Sequence, residues 1–158
     1  MKFAISLLLL TFLTTPVQAD QPVQCSEAPN ARQAVMDYLS AMHKNQFGEA
    51  YQYVTSNMTD GRSQEEWSAL QAKAYRPGKV QIYGVDVRTP YAADAKDPSC
   101  SASAIVPNIL SSRDKLNEHG LVEFEIYTVV LKDGRWAVDA QETLFENADI
   151  DRWFPSTQ

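Results

Sequence analysis

The chain has 158 residues, 44% of them hydrophobic, 10% aromatic and 22% charged, with a formal net charge of −6. That length suits one domain able to bury most of its apolar surface, and it leaves no room for a second. The acidic balance and the lack of any Lys/Arg cluster argue against nucleic acid and anionic lipid as partners.

Lys2 precedes an apolar run from Phe3 to Leu13, followed by Thr14, Thr15 and Pro16 and then Val17, Gln18 and Ala19. This is the layout of a cleavable secretory signal peptide over residues 1–19, with a cut that leaves Asp20 as the new N-terminus. The run of about eleven apolar residues is too short for the hydrocarbon core of a membrane, which takes about 20. Gln24 before Cys25 is not the small residue that a lipid-anchor site needs. Removing 19 residues from 158 leaves 139, and losing Lys2 takes the charge from −6 to −7. The mature product is expected in the periplasm or secreted, with no membrane anchoring. Cys25 and Cys100 are the only cysteines, and an oxidising compartment would pair them. The chain-entropy treatment gives such a bond about 4 to 5 kcal/mol. No C-x-x-C pair exists to lower a thiol pKa, so a redox role is not expected.

Residues 20–29, with Pro22 and Pro29, read as an extended lead-in. A first helix follows with Asn30 as its N-cap, a buried stripe of Ala31, Val35, Tyr38, Leu39 and Met42, and an end near Lys44 or Asn45. A short second helix covers Phe47 to Val54. Asp60-Gly61 marks a turn, and Ser63 with Glu66 forms the S-x-x-E arrangement that opens a third helix near Gln64. Trp67, Leu70 and Ala74 are its expected buried stripe, and Pro77-Gly78 its stop. From Lys79 to Thr89, Val80 and Ile82 alternate in one phase and Val85 and Val87 in the other, so Gly84 marks a bulge. A strand is expected from Ser101 to Val106, with Pro107 confined to a strand end or edge, and then a polar connection from Ser111 to Gly120. Val122, Phe124 and Ile126 alternate with Glu123 and Glu125, which places the apolar set in the core and the two glutamates in solvent. Asp133-Gly134 supplies a tight hairpin, and Arg135 to Phe145 returns with Trp136, Val138 and Ala140 on one face. The tail, 146–158, is polar except for Ile150, Trp153 and Phe154, which dock as a short helix or form an exposed patch.

Three helices followed by about four antiparallel strands, over residues 30–145, resemble the nuclear transport factor 2-like superfamily. The segment from Ala31 to Tyr51 resembles its opening helix and turn, and Lys132-Asp133-Gly134-Arg135-Trp136 resembles its closing hairpin. The resemblance implies an α+β fold in which a strongly bent antiparallel sheet wraps the helices into a cone, whose mouth often holds a ligand. Enzymes, binding modules and dimerisation domains share that fold, so it does not choose among them.

Isomerases and dehydratases of the resembled family use an Asp, His or Tyr acid/base group inside the cone. Asp139 is the candidate here, with a side chain that faces either the interior or solvent. His43, near the end of the first helix, and His119, in a polar loop, are explained by surface positions. Glu123 and Glu125 share a strand face and invite a test as paired carboxylates. Two scattered histidines and a disulfide leave no zinc set, and no nucleophile-elbow, phosphate-loop or dinucleotide motif occurs, so no metal and no cofactor are expected. Asn57-Met58-Thr59 matches the glycosylation triplet, a pattern short enough to arise by chance. Tyr38, Trp67, Tyr83 and Tyr127 are the ligand-binding candidates at the cone mouth, where rings and hydroxyls would meet a small ligand. The expected function is a non-enzymatic exported domain binding a small molecule or protein partner in its cone or on its sheet face. The alternatives are an isomerase or dehydratase using Asp139 and a tyrosine, and a homodimerisation module whose face carries Tyr127, Val129 and Leu131.

Overall fold

The computed structural model describes residues 22–25, 28–94 and 96–155. The signal-peptide segment at 1–19 lies outside the described residues. The first helix, α1, spans Pro29–His43, and no side chain caps its start. Proline at the first helical position fixes φ and needs no N–H partner, so the helix begins one residue before Asn30, which is not the cap. Ala31, Val35, Tyr38, Leu39 and Met42 are buried as their spacing requires. The second helix, α2 (Phe47–Ala50), runs into a 3₁₀ turn at Tyr51–Tyr53. The third, α3 (Gln64–Gly78), opens on a complete capping box between Ser63 and Glu66 and closes on Lys79 in the left-handed conformation.

Its buried face is not the expected one. Trp67 is buried, but Leu70 is 45% exposed and Ala74 is exposed. The helix instead turns Trp67 and Tyr75 toward Tyr51 and Phe47, in edge-to-face pairs at 5.9 and 5.5 Å. Two aromatic rings remove more apolar area than Leu70 and Ala74 would, which decides the rotation.

Five antiparallel strands follow: β1 (Gln81–Val87), β2 (Tyr91–Ala92), β3 (Ser103–Arg113), β4 (Leu121–Lys132) and β5 (Arg135–Leu144). The sheet order is β1-β3-β4-β5, with β2 pairing β3 beyond the end of β1. α1 lies against β1, β3, β4 and β5 on one face, here called inner. The break in β1 falls between Ile82 and Gly84, as the phase change predicts, so Tyr83 is the extra residue. Asp133 and Gly134 both have positive φ in the β4–β5 hairpin. A second register break, between Thr128 and Val129, leaves Asp139 as an extra residue in β5. Ala140 is therefore exposed rather than continuing the Trp136 and Val138 face.

β3 is longer than expected and central, and Pro107 is buried in its middle. The carbonyl of Pro107 accepts the Arg88 N–H at 2.8 Å. Only the reciprocal donation to Arg88 is forgone, at a corner where β1 has ended and β2 has not begun, so proline costs the sheet one bond and no register. Ser111 to Arg113 extend β3, and the polar connection shortens to residues 114–120.

The inner face of β4 carries Tyr127 and Val129, both fully buried, whereas Val122 is 55% exposed. This reverses the expected face of β4. The dimer face expected at Tyr127, Val129 and Leu131 is accordingly covered by helices at its first two positions. The tail forms α4 (Asn147–Trp153), which docks on the outer face through Trp153 against Tyr91 and Phe154 against Phe124, at 5.6 and 5.1 Å.

Cys25 and Cys100 are disulfide-bonded, with Cα atoms 6.0 Å apart. The Cys25 N–H donates to Pro90 and the Ala92 N–H to Val23, so the lead-in is also strapped to β2. The bond spans 75 positions. Replacing both cysteines by serine is expected to cost about 4 kcal/mol through freedom regained by the unfolded chain. Urea unfolding of oxidised and variant protein checks this, and equal midpoints would contradict it.

Candidate functional site

The inner face of β3 presents Ala104, Val106, Asn108 and Leu110, each opposite an inner residue of β4: Val129, Tyr127, Glu125 and Glu123. Tyr127 pairs with Gln141 of β5, which the extra residue Asp139 has brought to this face. The result is a polar cluster on the inner face, buried at Asn108, Glu125 and Tyr127 and exposed at Gln141. Glu125 is 2% exposed. Its Oε2 accepts from the Tyr127 hydroxyl at 2.8 Å and from Asn108 Nδ2 at 3.0 Å, and its Oε1 accepts from Gln141 Nε2 at 2.7 Å. Asn108 is fully buried, and its Oδ1 has no partner among the described residues.

Burial pushes the Glu125 carboxyl above its ordinary value, with Glu123 adding to the effect, while the bonds from Tyr127, Asn108 and Gln141 pull the other way. Burial likewise raises the phenols of Tyr38, Tyr75 and Tyr127, and the Glu125 charge raises each further. A buried carboxyl and a phenol in hydrogen-bond contact can hold or pass a proton. Sequence reasoning placed Glu125 in solvent and did not single out Asn108, Gln141 or Tyr75. The overlooked signal was parity: Glu125 and Tyr127 are two apart on one strand, so a Tyr127 facing inward takes Glu125 with it.

The four aromatic candidates do not converge. Tyr38 and Tyr127 meet edge to face, with ring centroids 6.1 Å apart. Trp67 is buried against Tyr51. Tyr83 is 56% exposed at the β1 bulge. Its hydroxyl lies where a Cβ on Gly120 would come within 2.5 Å, at a backbone φ of +91° that also favours glycine. Asp139 is half-buried and accepts from the Thr55 hydroxyl at 2.5 Å and from Asn57 Nδ2 at 3.3 Å. Its bonds fasten the 55–57 turn to β5, and none runs to Tyr38 or Tyr83. His43 ends α1 and His119 sits in the 114–120 loop, both exposed. Among the described residues no group of three or more His, Cys, Asp or Glu is placed to hold a metal ion, and no helix is long and apolar enough to cross a membrane.

Because the folded carboxyl of Glu125 titrates above the unfolded one, its contribution to stability is complete below the unfolded value and is lost as pH rises through the folded value. In Glu125→Gln the new amide accepts from Tyr127 and Asn108, and a turned Gln141 amide accepts from it. The variant is expected to gain on the wild type as pH climbs from about 4.5, levelling off above the folded pKa. Paired urea unfolding between pH 4 and 8 reads the gap, and a gap independent of pH would contradict a raised Glu125.

No family model and no curated protein matches the sequence. Solved structures are. A ketosteroid isomerase-like protein from Erwinia carotovora atroseptica superposes with a TM-score of 0.53 at 13% identity, over 77% of this chain and 98% of that one. A nuclear transport factor 2-like protein of unknown function from Pseudomonas putida gives 0.52 at 11%, over 85% and 99%. Bd1075 of Bdellovibrio bacteriovorus gives 0.50 at 9%, over 71% of this chain but only 39% of that longer one. At these identities the likeness carries architecture and nothing further, and the architecture of this chain is the nuclear transport factor 2-like α+β fold.

Proposed function

We propose that the chain is an exported, non-catalytic binding domain that meets its ligand or partner on the outer face of its sheet. On this reading residues 1–19 are a cleaved leader, the mature chain starts at Asp20 in the periplasm or outside the cell, and the sheet curls around α1 as a cone whose interior is filled. The Cys25–Cys100 bond supports the compartment, since such bonds persist where thiols are not kept reduced. The observation that carries the binding reading is that Glu125, at the centre of the inner cluster, is engaged by donors of its own sheet. Glu125 takes three donors from its own sheet, Tyr38 packs edge to face on the Tyr127 donor, and Met42 and Phe47 are buried in the same core. The outer face instead leaves Val122, Phe124, Ile126 and Val130 exposed or half-covered.

A closed interior has an optical signature. Of the seven tyrosines, Tyr38, Tyr75 and Tyr127 are expected to resist ionisation until the protein unfolds. Spectrophotometric titration of the native protein checks it, and seven phenols titrating normally would mean an open interior and sink the reading. Intact mass of the exported protein tests the other half: a chain starting at Asp20 with no free thiol is expected, and a cytoplasmic chain that keeps Met1 and two thiols would refute it.

One observation favours a second reading. A carboxyl raised by burial beside a phenol is the kind of group that serves proton transfer, and this moves the isomerase alternative from Asp139 to Glu125. Turnover of a β,γ-unsaturated ketone that disappears in Glu125→Gln would put catalysis first. Wild type and variant equally inert on that substrate would leave the binding reading in front.

A further inference from the structure

A cleft of about 600 Å³ lies between α4 and the outer face of the sheet. Its floor is Ile109 and Phe124, its walls are Tyr91, Trp153 and Phe154, and Arg88 stands on its rim. The two sides of this cleft are held very differently. On the sheet side, Tyr91 is buried, its hydroxyl accepts from Gln24 Nε2 at 3.2 Å, and Gln24 is strapped in place next to the disulfide. On the other side, α4 contains no buried residue, follows an 83% exposed Phe145, and is docked by its two edge-to-face aromatic pairs. One wall is therefore rigid and the other adjustable.

We infer that this cleft is a binding site for a small amphipathic anion: a flat apolar body seated between the sheet and α4, with one anionic group at Arg88. This rests on the reading of the outer face as the binding face and adds the class of ligand. The volume fits one such molecule, and small-ligand sites of this size are mostly apolar with a few placed polar groups. The rings of Tyr91, Trp153 and Phe154 on its lining suit an aromatic or acyl face. The charge follows from Arg88 on the lining, with Arg152 against the Trp153 ring, in a chain of net charge −6. Arg88 pairs with Asp86 at 2.7 Å, with both side chains about half exposed, a pair that contributes little and leaves the guanidinium free to accept a better partner. Arg152 lies over the Trp153 ring at 5.2 Å, adding positive charge beside the wall. Asp151, the acid on the lining, is exposed on α4.

The test uses the disulfide-bonded mature protein and two fluorescent probes of one shape, 8-anilinonaphthalene-1-sulfonate and its uncharged counterpart N-phenyl-1-naphthylamine. Saturable one-to-one binding of the sulfonate is expected, with near-UV circular dichroism unchanged so that a loosened core is not being read. Arg88→Gln should weaken the sulfonate about tenfold, the loss of one charged hydrogen bond, and leave the neutral probe as it was. Trp153→Ala should weaken both. If the sulfonate and the neutral probe bind alike in wild type and Arg88→Gln, the anionic class is wrong while the outer-face reading stands. If neither probe binds and the tyrosines still resist ionisation, the cleft proposal alone fails. If neither binds and the tyrosines titrate normally, both it and the outer-face reading fall.

Discussion

The structure turns on a carboxylate placed where charge is unfavourable. An ionised carboxyl taken out of water without partners costs several kcal/mol, and Glu125 is tolerated because three donors meet it. They come from three adjacent strands: Asn108 on β3, Tyr127 on β4 and Gln141 on β5. Each strand must hold its register for its donor to arrive, since a slip of one residue sends the side chain to the opposite face. The extra residue at Asp139 is part of the same arrangement. With unbroken pairing from Val138 opposite Val129, Ala140 would face Tyr127 and Gln141 would point outward. With the break, Gln141 faces Tyr127 and reaches Glu125. Asp139 itself is then free to bond Thr55 and Asn57, which lay the 54–55 segment along the edge of β5.

What was legible in the sequence was what local chemistry fixes. Ser63 and Glu66 cap a helix wherever that helix packs, Asp133-Gly134 turns a hairpin without outside help, and Gly84 sits where two alternation phases collide. The pairing of Cys25 with Cys100 needed only an even count and an oxidising compartment. These features set the element order of the fold, and the order carried the resemblance.

What was not legible depended on knowing what covers each face. β4 is apolar at Val122, Phe124 and Ile126 on one side and at Tyr127 and Val129 on the other, so alternation alone named the wrong interior. Hydropathy counts a glutamate as outward, and it has no means of seeing that three donors from neighbouring strands will arrive. Counting parity from Tyr127 would have corrected this, because a tyrosine held to face the ligand cannot share a strand with a solvated Glu125. Pro107 failed differently. The rule that excludes proline from central strands assumes a neighbour on both sides along the whole length, whereas β1 stops one residue short of it and β2 starts later. Leu70 was lost to a competition between two possible helix rotations that both satisfy the spacing.

On the binding reading, the relative cost of opening the two faces decides where a ligand would enter. To reach the interior, a ligand must replace the bonds on Glu125, each worth about 1.5 to 3 kcal/mol as a hydrogen bond to a charged group, and must also separate Tyr38 from Tyr127. With the aromatic pair at about 0.5 to 1.5 kcal/mol, that sums to about 5 to 10 kcal/mol before any gain, more than half of the binding free energy of a micromolar ligand. To enter under α4, it must disturb two aromatic pairs worth about 0.5 to 1.5 kcal/mol each, and its own apolar face can replace much of what they lose. On that reading the inner face, where Glu125 is held by three donors and Tyr38 packs on Tyr127, is the costlier one to open, and the cheaper surface is the one covered by the C-terminal helix, which has no buried residue.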